Sequence, residues 1–165
     1  MNCHMPRLNE GLQDVTRTHM IFSPTRLDMI KADHPNACNL CHVDQPVSWT
    51  LKHLKEWYAT DFSEVKLDNH APQPDQRAGL RWLKSPNEAV RLIAADALTR
   101  SKAKWALPDL IDALDDPYLL NRQFARKGLE TMLGIRLSDF GYRFYMTPVE
   151  RRGPLSHLRS ELLAK

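Results

Sequence analysis

The chain has 165 residues, room for one domain or two small ones. With 42% hydrophobic and 26% charged residues it has the composition of a soluble globular protein, and a net charge of +3 is too small to argue for nucleic acid. No apolar run approaches the roughly 20 residues that cross a bilayer as a helix.

Residues 1 to about 45 hold all three cysteines and four of the seven histidines, with Pro6, Pro24 and Pro35 scattered among them. Neither a helical period nor strand alternation is sustained there, so the segment is expected to be irregular. It is too poor in apolar pattern to build a core unaided. The first residues show no basic stretch followed by an apolar run, so they are not a secretory signal. The opening Met1-Asn2-Cys3-His4 would complete a C-x-x-C-H word if a cysteine preceded Met1. On that ground the chain is expected to be the C-terminal piece of a longer exported protein.

Cys38-Asn39-Leu40-Cys41-His42 is a complete C-x-x-C-H word. That spacing is the attachment signature of c-type haem, with two thiols for the vinyl groups and a histidine for the iron. Cys38 and Cys41 are thus expected to carry thioether links and His42 to be the proximal ligand. Cys3 and His4 are the corresponding residues of the truncated word. His19, in Arg17-Thr18-His19-Met20-Ile21-Phe22, is the leading candidate for a distal iron ligand, with His34 and His53 as alternatives. Arg7, Arg17 and Arg26 are expected to pair with haem propionates.

From Pro46 the pattern is helical. Proline suits a first helical turn, and Val47, Leu51, Leu54 and Tyr58 recur at helical spacing. His53 stands four residues from both Trp49 and Trp57, a row that fits either a porphyrin face or a core seam. Residues 69–75 carry two prolines and read as a linker. Beyond them Ser85-Pro86, Val90, Arg91, Ala94, Ala97 and Leu98 match Asp116-Pro117, Asn121, Arg122, Ala125, Gly128 and Leu129 at a constant offset of 31 residues. Each unit has proline at an expected helix start, arginine five later, then small residues where helices pack closely. A short amphipathic helix is expected over 106–114. The pattern is that of stacked helix pairs of HEAT type.

These words together resemble those of bacterial multihaem c-type cytochromes in which paired C-x-x-C-H motifs precede HEAT or tetratricopeptide repeats. The matching residues are Cys3-His4-Met5-Pro6-Arg7, Arg17-Thr18-His19, Pro35-Asn36-Ala37-Cys38 through His42, Trp49-Thr50-Leu51 and Trp57-Tyr58. The resemblance implies a mainly α fold, with an irregular haem-binding region over 1–60, a linker over 61–75 and a HEAT-like α-solenoid over 76–165. It implies electron transfer through haem c, at least one group here and two or more in the intact protein. The iron ligands would be His42, His4 and His19, in a periplasmic or other extracytoplasmic setting, with redox proteins as partners. An electron carrier rather than an enzyme is expected, since no phosphate loop or catalytic triad stands out. A haem with an open axial position would be the one route to small-molecule reduction. Two other possibilities stand beside it. Cys3, Cys38, Cys41 and one histidine would suit structural zinc in a Cys₃His set, and the helical repeats would suit docking of a protein partner.

Overall fold

The computed structural model describes residues 4–11, 14–21, 26–59, 62 and 76–164. They form a predominantly α-helical protein with one small sheet. Strands β1 (Arg7–Glu10) and β2 (Val15–Arg17) pair antiparallel, with Arg7 opposite Arg17 and Glu10 opposite Val15. Gly11 closes the hairpin by donating its amide to the Asp14 carbonyl at 3.0 Å. A Cβ on Gly11 would lie 2.8 Å from that same oxygen, which is why the turn takes glycine.

This hairpin, with the short helix α1 (Leu27–Lys31), corrects the expectation that the segment before residue 45 is irregular. Strands of three and four residues are too short to show a period of two. Val15 alone in β2 is buried, so no alternation was there to find.

Six longer or better-packed helices follow. They are α2 (Val47–Tyr58), α3 (Ala78–Leu83), α4 (Glu88–Arg100), α5 (Leu107–Asp112), α6 (Leu119–Leu133) and α7 (Pro148–Leu163). Single 3-10 turns over 104–106, 113–115 and 137–140 bend the chain between them. Of the expected linker, only Phe62 is described, and it is buried; the rest lies outside the described residues.

One hydrophobic core runs from Val15, Ile30, Leu40 and Val43 through Trp82 and Leu98 to Leu129 and Leu158. Each fully buried leucine in it contributes about 1.5–3 kcal/mol. Helices α4 and α6 lie close because Gly128 faces Thr99. A Cβ on Gly128 would stand 2.4 Å from Thr99 Oγ1 and 2.9 Å from Thr99 Cβ. Thr99 cannot swing aside easily, since its hydroxyl donates back to the Ala95 carbonyl at 2.9 Å.

The prolines of the 31-residue pattern stand one step further out than expected. Asn87 and Tyr118 occupy the cap positions of α4 and α6, so Pro86 and Pro117 belong to the preceding turns. The Asn87 side chain accepts from the amides of Ala89 and Val90 at 2.9 and 3.4 Å. The arginines then fasten turn to helix. Arg91 Nη1 donates to the carbonyls of Ser85 and Pro86 at 2.9 and 3.1 Å. Arg122 Nη1 does the same to Asp116 and Pro117 at 2.6 and 3.0 Å. From within α7, Arg151 Nη1 reaches back to the Met146 carbonyl at 2.6 Å while its Nε meets Asp115 Oδ1 at 2.7 Å.

Asp116 links two of these units. It accepts from Arg91 Nε at 2.6 Å, from the Tyr118 amide at 2.9 Å and from Asn121 Nδ2 at 3.2 Å. Burial alone would push this carboxyl up, but those three donors together hold it below the ordinary carboxylate value. Tyr142, fully buried, donates its phenol to the Leu114 carbonyl at 2.7 Å, and burial pushes that phenol up. Helix α7 opens on a capping box between Thr147 and Glu150, with Pro148 in its first turn. Among the described residues no helix is long and apolar enough to cross a membrane.

Two outcomes are expected from this packing. Gly128→Ala should destabilise the fold by about 1–3 kcal/mol through overpacking, although alanine favours a helix interior by about 1 kcal/mol; urea unfolding measures it, and a stabilised variant would refute the close approach. Asp116 contributes its stabilisation in full above the unfolded carboxyl pKa of about 3.9 and loses it as pH falls through the depressed folded value. Asp116→Asn should therefore cost on the order of 1–3 kcal/mol at neutral pH and much less in strong acid. Thermal melts across pH read the difference, and a constant offset at every pH would count against it.

Candidate functional site

The residues of the C-x-x-C-H word form one tight turn. Cys41 and His42 both donate their amides to the Cys38 carbonyl, at 3.1 and 2.9 Å, and Leu40 donates to the Asn36 carbonyl at 3.1 Å. The two middle residues face inward: Asn39 is fully buried and Leu40 is 3% exposed. Asn39 is the hub. Its Nδ2 donates to the carbonyls of His42 and Gln45 at 3.2 and 3.0 Å, and its Oδ1 accepts from Thr50 Oγ1 at 2.7 Å and Asn36 Nδ2 at 3.0 Å. Every polar atom of the amide is thus engaged, which a buried asparagine requires. With Asn39 and Leu40 turned in, Cys41 and His42 face out, and Cys38 is half-buried.

The imidazole of His42 begins a row of rings. Its centroid lies 4.8 Å from that of Trp49, Trp49 lies 4.5 Å from His53, and His53 stacks on Trp57 at 5.4 Å. The spacing of four along α2 places the last three on one helical face. The adjacent face, about a quarter turn round, buries Val47, Thr50 and Leu54. The row is therefore no core seam; Trp57 is 64% exposed. His53 Nδ1 is 3.0 Å from Glu56 Oε2.

Beside the turn opens a cavity of about 260 Å³ lined by Pro6, Arg7, Arg17, Leu40, Cys41 and Arg100. Arg7 and Arg17 come from the two strands, where their register sets them opposite each other. Each uses one guanidinium nitrogen on backbone, Arg7 on the Val15 carbonyl at 3.0 Å and Arg17 on the Met5 carbonyl at 3.2 Å. Arg100 comes from the last turn of α4 and is held by Asp96 at 3.1 Å. Burial is the main reason the Asp96 carboxyl is pushed up despite that pairing. Arg26 takes a different course, bonding Asp28 on the surface. Arg100 was missed in the sequence because its place beside Cys41 depends on the packing of α4 against β1, not on any local pattern.

The haem expectation is corrected. Among the described residues no group of three or more histidine, cysteine, aspartate or glutamate side chains comes together that could hold a metal ion. His42 is instead engaged by the ring of Trp49, His4, His19 and His34 are exposed, and His53 sits in the aromatic row. Three cysteines supply a single intact C-x-x-C-H word, not the pair that a multihaem cytochrome would carry. The multihaem resemblance, the haem c cofactor and the electron-carrier role do not hold on these grounds. The zinc scaffold falls for the same reason, since Cys38 and Cys41 are joined by no further ligand among the described residues. Cys3, and His70 in the expected linker, lie outside the described residues. Comparison with protein-family models, with curated proteins and with solved structures finds no match.

Asn39→Ala is expected to cost about 2–4 kcal/mol, because it strands the Thr50 hydroxyl and the turn carbonyls in the interior. Asn39→Asp should also destabilise, since an acceptor replaces the Nδ2 donor. Denaturant unfolding checks both, and near-wild-type stability of Asn39→Ala would remove Asn39 from its place as hub.

Proposed function

We propose that this chain is a protein-docking module whose helices α4 to α7 stack in HEAT fashion and present their turns to a partner protein. The observation that carries it is the exposure of large apolar side chains on successive turns. Tyr118 and Leu119, before and at the start of α6, are each 50% exposed, and Tyr145 and Val149, around the start of α7, are 65% and 70% exposed. The arginine bonds described above fix both turns. Arg122 joins them directly by donating its Nε to the Phe144 carbonyl at 2.7 Å. Two aromatic and two aliphatic side chains are thereby held at neighbouring turns, on backbone that need not be ordered upon binding. Tyrosine in such a setting supplies area at low entropic cost, which is why it is enriched at interfaces. Stacked helical repeats commonly bind along their exposed faces and loops. The constant 31-residue offset and the matching roles of Arg91 and Arg122 support the repeat construction.

A photo-crosslinking residue placed at Tyr118, and separately at Tyr145, tests this in the cells that make the protein. One partner protein should be captured from both positions, and Leu119→Asp with Val149→Asp should reduce its capture by at least about tenfold, the loss of one or two buried apolar anchors. A probe at Arg136, beyond the far end of α6, should not capture it. Equal capture from all three positions, or none from the first two, would overturn the proposal.

A further inference from the structure

We propose that Cys41 and Cys38 form a redox-active dithiol that exchanges with low-molecular-weight disulfides bearing carboxylates, which the cavity of three arginines collects. Three independent features meet here. First, Cys41 is exposed and is one of the residues that line the cavity. Second, Cys38 is one turn away. The bond from the Cys41 amide to the Cys38 carbonyl at 3.1 Å closes a turn, whose ends lie within about 7 Å between Cα atoms. A disulfide needs about 4.4–6.8 Å, so the pair can join without unfolding the turn.

Third, the cavity wall carries Arg7, Arg17 and Arg100 and no carboxylate. Asp14 and Asp96 line an adjoining cavity that shares Arg7 and Arg100, and Asp96 is paired to Arg100. Arg7 and Arg17 each spend a single terminal nitrogen on a carbonyl, which leaves the remaining donors of each planar fork for a carboxylate ligand. A disulfide of small acidic thiols, with carboxylates a few bonds from its sulfurs, matches that arrangement of cations around a thiol. A cationic disulfide does not.

The exchange balances without any other reactant. Cys41 gives its proton to solvent, and its thiolate attacks one sulfur of the disulfide. The S–S bond breaks, a mixed disulfide forms, and the departing thiolate takes up a proton. Cys38 then loses its proton and attacks Cys41 Sγ, which forms the Cys38–Cys41 disulfide and releases the second small thiol. The two protein thiols are oxidised and the small disulfide is reduced to two thiols.

The test uses the full chain and three disulfide probes of different charge: oxidised glutathione (anionic), hydroxyethyl disulfide (neutral) and cystamine (cationic). Thiol loss is followed in time, and the bonds are located by peptide mass mapping. At low salt oxidised glutathione should join Cys38 to Cys41 at least tenfold faster than cystamine does, with the advantage shrinking as salt is added. Arg17→Gln and Arg100→Gln should each slow the reaction with oxidised glutathione severalfold. Neither should change the rate with hydroxyethyl disulfide, which also reports an intact turn. Cys38→Ser should stop the reaction at a mixed disulfide on Cys41. Equal rates for the anionic and cationic probes, or oxidation mapped to Cys3 and not to the Cys38–Cys41 pair, would overturn the proposal. The probe comparison in the unaltered chain needs no variant to fold.

Discussion

The first turn of α3 is capped by another stretch of backbone, and much of the molecule depends on that contact. Arg77, at the cap position, offers no side-chain bond. The amides of Ala78 and Gly79 instead donate to the carbonyls of Gln45 and Val43 at 2.9 and 3.0 Å. Leaving such groups buried and unpaired would cost roughly 1–3 kcal/mol each. The two backbones must come very close for this, and Gly79 permits it. A Cβ there would lie 2.7 Å from Leu98 Cδ2 and 3.1 Å from the Val43 carbonyl. One glycine therefore sets the cysteine-bearing turn, α3 and α4 against each other. Asp33, just beyond α1, secures the same junction, accepting from Arg81 Nε at 2.7 Å and Trp82 Nε1 at 3.2 Å.

Arginine does elsewhere what glycine does at that junction. Arg91, Arg122 and Arg151 each bond a carbonyl of the turn five or six residues before them, and each reaches a further acceptor on another segment. A lysine would supply one point of charge. The planar fork serves two acceptors at once in fixed geometry. This is how α4, α6 and α7 hold their positions relative to the turns before them. Their interhelical turns are bonded in place without being buried, and apolar side chains on them stay in view of solvent.

Helical content was legible in the sequence where apolar spacing is long enough to repeat. Val47, Leu51 and Leu54 mark α2, and the small residues Ala94, Ala97, Ala125 and Gly128 mark the close pair α4 and α6. The equivalence of Arg91 and Arg122 was visible as an offset, though not what the arginines bond. The hairpin was not legible, because its pairing is fixed by a few backbone bonds and by Gly11. The cavity at Cys41 was half legible. Arg7 and Arg17 stood out near the cysteines, whereas Arg100 arrives through tertiary packing that no local pattern records.

The C-x-x-C-H word specifies less than its spacing suggests, for a physical reason. Spacing of three and four residues is what a single turn requires, so the word specifies a turn before it specifies a ligand. Which chemistry the turn serves is decided by its surroundings. Asn39, by binding the carbonyls of His42 and Gln45, turns the middle of the word inward and sends its last two residues outward in different directions of use. His42 goes to the ring of Trp49, and Cys41 goes to the arginine cavity. A zinc ion bound by the word itself would need both on one point. The hub that makes the turn stable also sets its imidazole and its thiol to different neighbours, the ring of Trp49 and the arginine-lined cavity.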